Sequence, residues 1–171
     1  MRRLVVGLLA LISLFSFIGW TIATGVNEHR FDVNCEQYIK RAADASSVEV
    51  AKRELGKAIE YCENNGLTKG IVSIFFKQPK NDIGFWYENL KIAYEELDAL
   101  PEDSTPLEKT NVLMRIRESL TDGGENSIYV TRPDGIANYP NNAVYFWWCI
   151  LSMLAFIVFV VLFFVDLDYY Y

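Results

Sequence analysis

Two unbroken apolar stretches, residues 4–25 and 143–165, bracket the chain and leave a largely polar sequence between them. A helix rises 1.5 Å per residue, so about 20 apolar residues cross the ~30 Å hydrocarbon core of a bilayer, and both stretches reach that length. The pattern predicts a mainly α membrane protein in which two transmembrane helices flank an extracytoplasmic helical bundle of about four helices, with a small β-hairpin before the second span. The expected divisions are a cytoplasmic N-terminus at residues 1–3, a first span at 4–25, an extracytoplasmic domain at 26–142, a second span at 143–165 and a cytoplasmic tail at 166–171.

Charge is confined to the middle. All but two of the 16 Lys and Arg, and all but two of the 22 Asp and Glu, lie between the apolar stretches, and the net charge is −6. A domain of that sign repels polyanions, so no nucleic-acid partner is expected. Arg2 and Arg3 precede the first stretch with no acid beside them, which by the positive-inside tendency leaves the N-terminus in the cytoplasm and carries the domain across. Two readings of the first stretch compete. Ala23, Thr24 and Gly25 resemble the small-residue cleavage site of a secretory signal, whereas the length and the placement of Trp20 favour an uncleaved signal anchor. Both put the domain outside the cytoplasm.

Trp20, together with Tyr145, Trp147 and Trp148 at the opening of the second stretch, are expected membrane-interface anchors, because an indole or phenol buries its body while its polar tip stays wet. Within the first span Gly7, Ala10, Ser13 and Ser16 recur at threes, and Gly19 and Ala23 stand four apart. Small residues at such spacing let a second helix approach closely.

The middle reads as helices in series. Cys35, Tyr38, Ile39 and Ala42 share one face, and Ser46 with Glu49 suggests a capping box before a stripe of Val48, Ala51, Leu55, Ala58, Ile59 and Cys62 that stops at Gly66. Asn81 or Asp82 can cap a helix carrying Trp86, Leu90, Ala93, Leu97 and Leu100, which Pro101 ends. Thr105, Pro106 and Glu108 open another, with Val112, Leu113, Ile116 and Leu120 inward and Gly123–Gly124 as its stop. Ile128, Val130, the turn at Pro133, Asp134 and Gly135, then Ile136 and Tyr139 read as the hairpin. The run from Ile71 to Phe76 fits a strand, a buried helical turn or a membrane-dipping segment equally well.

Reactive chemistry is sparse in this sequence. Cys35 and Cys62, on helices joined by a short turn in an oxidising compartment, are expected to form a disulfide, and Cys149 to be a packing residue of the second span. One histidine, His29, cannot build a zinc site, and there is neither a nucleophile elbow nor a Gly-rich phosphate loop. Glu88, Glu95, Glu96 and Asp98 fit the wet face of a helix, and no ionisable residue sits mid-span to carry a proton or ion. No cofactor, metal or catalytic residue is therefore expected. What remains is binding: Phe75, Phe76, Phe85, Trp86 and Tyr87 make a candidate partner-binding cluster, set against the plainer reading of core or bilayer-resting aromatics. The expected function is that of a non-catalytic accessory, scaffold or assembly subunit for another membrane or envelope protein. The alternative is an extracytoplasmic sensor or ligand-binding module signalling through a membrane partner. The expected site is a bacterial inner membrane, consistent with the lack of an Asn-x-Ser/Thr sequon.

Overall fold

The computed structural model describes residues 2–123 and 128–168. The chain is mainly helical, 75% helix against 4% strand, and forms two compact units, one of Met1–Glu28 with Pro140–Tyr171 and one of His29–Tyr139. Two helices are long and apolar enough to cross a membrane, by length and composition: the continuous run Arg2–Ala43 and Asn142–Val165.

In the first unit, helix α1 (Arg2–Phe31) contributes its leading 27 residues and lies against α6 (Asn142–Asp168). Gly7, Ser16 and Gly19 of α1 face this pairing. The Trp148 indole N–H donates to Ser16 Oγ at 3.0 Å, and a Cβ added to Gly19 would stand 3.7 Å from the Trp148 ring, one added to Gly7 3.5 Å from Phe163. Ser13 and Ser152 are buried, and each hydroxyl bonds back to its own helix, to Leu9 O and to Trp148 O, as a hydroxyl held away from water requires. Asn27 Nδ2 donates to the Tyr145 hydroxyl at 2.9 Å. Trp148 and Tyr145 thus engage the opposing helix. Trp147 is half exposed, while Trp20 packs on Phe17 with its indole nitrogen buried instead of wet. The expected tail is helical to Asp168; residues 169–171 lie outside the described residues.

The second unit begins with a change of helical pitch. After Phe31 the backbone makes a π turn, Asp32–Glu36, before continuing as α2 (Gln37–Ala43). Phe31, Cys35 and Ile39 are all essentially fully buried, yet each four-residue step overshoots a 3.6-residue turn by ~40°. The wider turn absorbs that surplus and keeps the three on one line. Helical structure is therefore unbroken from α1 into α2.

Helix α3 (Val48–Asn64) is capped by Ser47, whose side chain accepts from Val50 N, so the cap lies one residue beyond the expected Ser46. At its end Gly66 has φ +69. Leu67 N–H reaches Cys62 O and Gly66 N–H reaches Glu63 O, the two bonds of a Schellman cap. Asp82 caps α4 (Ile83–Asp98) by accepting from Gly84 N and Phe85 N. Thr105 and Glu108 form a complete capping box at the start of α5 (Pro106–Leu120). Inward faces of these helices supply one core, with Leu55, Ala58, Ile83, Leu90, Leu97 and Ile116 among its least exposed members.

The β structure differs from expectation. Ile128–Val130 pairs antiparallel with the preceding Thr121–Gly123, in the register Thr121↔Val130 and Gly123↔Ile128, and not with Ile136–Tyr139. Backbone N–H groups of Ile136, Asn138 and Tyr139 are consumed in a local 3-10 turn, bonding Pro133 O, Gly135 O and Ile136 O, after Gly135 bends the chain at φ +82. Gly123 therefore lies in a strand and does not stop α5; Gly124 and Ser127 lie outside the described residues. The Ile71–Phe76 run is irregular apart from one bridge, Ile71↔Asp82.

Candidate functional site

Hydrophobic periodicity alone turns Trp86 inward on α4, and the structure leaves it 6% exposed. Its indole N–H donates to Thr131 O at 2.7 Å and its ring lies 6.3 Å from that of Phe31. The outer side of this ring floors a cavity of about 550 Å³ walled by Pro79, Lys80, Phe85, Val130, Arg132 and Pro133. Phe85, next in sequence, stands at the lip with 63% of its surface exposed.

Charged groups surround the cavity, and several of them are engaged. Arg132 Nε pairs with Glu36 at 3.0 Å and its guanidinium lies over the Phe31 ring. Lys80 faces Asp134 at 3.7 Å, and the Asp82 carboxylate caps α4. The surface left for a ligand is therefore mainly apolar, with Asn89 and Asp122 also in the wall.

The aromatic cluster expected from the sequence is thus divided. Phe75, Phe76 and Phe85 are exposed, whereas Trp86 belongs to the core and Tyr87 packs against it. The Tyr87 hydroxyl donates to Glu63 Oε1 at 2.6 Å; burial, then this carboxylate, push it up to about 12. The physical reason is phase: Trp86 sits on the inward stripe with Ile83 and Leu90, while Phe85 falls one 100° step off it. Thr131 and Arg132, both in the cavity wall, carry no spacing signal, because Thr131 meets Trp86 from 45 residues downstream.

The expected disulfide is not formed in this structure: Cys35 and Cys62 are brought together, both fully buried, but as free thiols with their sulfurs 3.7 Å apart. Among the described residues no group of three or more His, Cys, Asp or Glu is placed to hold a metal ion.

Glu54, which falls beside the apolar stripe of α3, has a side chain only 1% exposed and is surrounded by Arg41 at 3.2 Å, Arg53 at 3.0 Å and Lys57 at 3.4 Å. Arg41 and Lys57 also lie over the Tyr38 ring, so α2 and α3 are joined by an ionic and aromatic cluster. Burial works to raise the Glu54 carboxyl, but bonds from Arg53 and Lys57 and the Arg41 charge outweigh it and hold it below the ordinary 4.5. Glu49, through its own backbone N–H and then Ser47, and Glu108, through the Thr105 backbone and then its hydroxyl, are lowered as well. A lowered carboxyl binds its proton less readily folded than unfolded, so its contribution is complete above the unfolded value and lost as pH falls through the folded one. The urea midpoint of the protein in detergent is expected to hold steady down to about pH 5 and to fall below about pH 4.5. Glu54→Gln should flatten that fall more than Glu49→Gln, since only Glu54 is buried.

Comparison of the chain with family models, curated proteins and solved structures finds no match.

Proposed function

We propose that the protein is a non-catalytic accessory, scaffold or assembly subunit, held in a bacterial-type inner membrane by two spans, with residues 26–142 outside the cytoplasm. Its work is to bind another membrane or envelope protein. The observation that supports this reading is the cavity beside Phe85: an apolar hollow with an exposed aromatic at its lip and a rim of engaged charges suits a hydrophobic knob from a partner. A photo-crosslinking amino acid at Asn89, on the cavity wall, should give a discrete adduct with a membrane or envelope protein in native membranes, and Phe85→Asp should abolish it. A monomer in mild detergent, with no adduct in membranes, overturns the proposal.

The cavity volume also lies within the range of small-molecule sites, about 300–1,000 Å³, which favours a second reading as a sensor or ligand-binding module. That reading requires a saturable small-molecule stabilisation, abolished by filling the cavity through Asn89→Trp, in place of a protein adduct.

We further propose that Cys35 and Cys62 become a disulfide outside the cytoplasm, each thiol losing one proton and one electron to a dithiol–disulfide oxidant. Maleimide labelling after denaturation should then modify Cys149 alone in protein taken from cells, and all three cysteines after reduction. Closing this loop should stabilise the domain by about 3 kcal/mol in the chain-entropy model. Labelling of all three without reduction would show that the pair stays reduced.

A further inference from the structure

Residues 74–80 form a run of seven consecutive exposed positions, Ile-Phe-Phe-Lys-Gln-Pro-Lys, that the fold leaves outside its core. Phe76 is 79% and Phe75 61% exposed, and Phe76 is the most exposed large apolar residue of its unit among the described residues. This is not a frayed segment. Its base is closed by Val72 N–H to Asn81 O at 3.0 Å, by the Ile71↔Asp82 bridge and by Asn81 Nδ2 to Ser73 Oγ at 2.6 Å. Val72 is buried as an anchor, and Asn81 N–H and Asp82 N–H bond Gln78 O and Pro79 O. The loop is therefore preformed, and presenting its aromatics to another phase costs little conformational entropy.

Its charge is the reverse of its surroundings. Between Glu63 and Asp82 the chain carries Lys69, Lys77 and Lys80 and no acidic residue, in a protein whose net charge is −6; Lys80 faces Asp134, which leaves Lys69 and Lys77 as the lysines of this stretch that could meet lipid. Adjacent phenylalanines flanked by lysines match a lipid interface, with rings entering the headgroup–acyl boundary and ammonium groups meeting lipid phosphates. Both ends of the unit lead in sequence into apolar helices long enough to span a membrane, so a lipid surface is held at high effective concentration. We propose that residues 74–77 insert into a bilayer interface, an inference that rests on the two spans proposed above, beside the cavity whose wall includes Pro79 and Lys80.

The full chain, carrying Cys149→Ala and an environment-sensitive fluorophore on Gln78→Cys, is reconstituted alone in phosphatidylcholine vesicles with and without phosphatidylglycerol. Nitroxide lipids labelled near the headgroup should quench the loop probe strongly, and the same fluorophore at Asp103→Cys weakly. Quenching should rise with phosphatidylglycerol, and each engaged lysine is worth roughly fivefold in partitioning. Phe75→Ser with Phe76→Ser should lower the membrane-inserted population at least about tenfold, without unfolding, because both side chains are already outside the core. A probe reached only by water-soluble quenchers in every vesicle overturns the proposal, as does one shielded only when another membrane protein is co-reconstituted, which would make the loop a protein-docking surface.

Discussion

Trp86→Ala is expected to destabilise the domain by about 3–5 kcal/mol, the usual cost of truncating a large buried aromatic. That is a large share of the ~5–15 kcal/mol by which a typical domain is stable. The change removes the contact with Phe31 and the donor to Thr131 O, so the segment after the Ile128–Val130 strand loses its tie to α4. Trp86→Phe separates the two effects: it keeps most of the ring but leaves Thr131 O without its partner, which should cost about 1–2 kcal/mol. Urea unfolding in mild detergent, followed by near-ultraviolet circular dichroism, measures both. If Trp86→Ala stayed within about 1 kcal/mol of the wild type, Trp86 would not be a core residue. The same variant should also weaken crosslinking from Asn89, because the floor of the cavity is lost with the ring.

Gly70→Ala is the second large effect. Gly70 has φ +117 and its carbonyl accepts from Ile83 N–H at 2.9 Å, just after the Asp82 cap of α4. An added Cβ would stand 2.1 Å from the Tyr139 hydroxyl oxygen and 2.7 Å from its Cζ. Two penalties therefore combine, a backbone conformation that side chains rarely adopt and a collision that the partly buried Tyr139 ring must shift to relieve. Together they should cost about 2–4 kcal/mol. Tyr139→Phe in the same chain removes the nearest atom but not the strained φ, so the double variant should recover part of the loss and no more. Full recovery would assign the whole cost to the collision.

What was legible in the sequence was whatever a local rule controls. The stripes of α3, α4 and α5, the Thr105 box and the left-handed Gly66 follow from the 3.6-residue period and cap chemistry, and the structure contains each of them. Where two neighbouring residues satisfied the same rule, as Asn81 and Asp82 did, the sequence did not choose between them, and the structure has Asp82 as the cap. The strand pairing was missed because Thr121–Gly123 has the composition of a helix stop, and its partnership with Ile128–Val130 is a contact that no single-segment period encodes. The cavity was half visible. Phe85 and Trp86 announced an aromatic site, but which of the two faces outward depended on helical phase. The opposing wall at Thr131 and Arg132 came from a distant segment, and Glu54, an acid beside an apolar stripe, is paired mainly through neighbours that look like ordinary surface charge.

The π turn at Asp32–Glu36 gives the chain a slack of one residue. A helix holding one residue more than its regular form requires can lose that residue and remain continuous, with the residues after it kept near their original rotation. The tolerance is one-sided and comes at the expense of alignment. Regularising the turn would carry Cys35 off the line it shares with Phe31 and Ile39, and so away from the sulfur of Cys62. Length at this point of the chain is therefore held by what the extra residue aims, and not by the continuity of the helix.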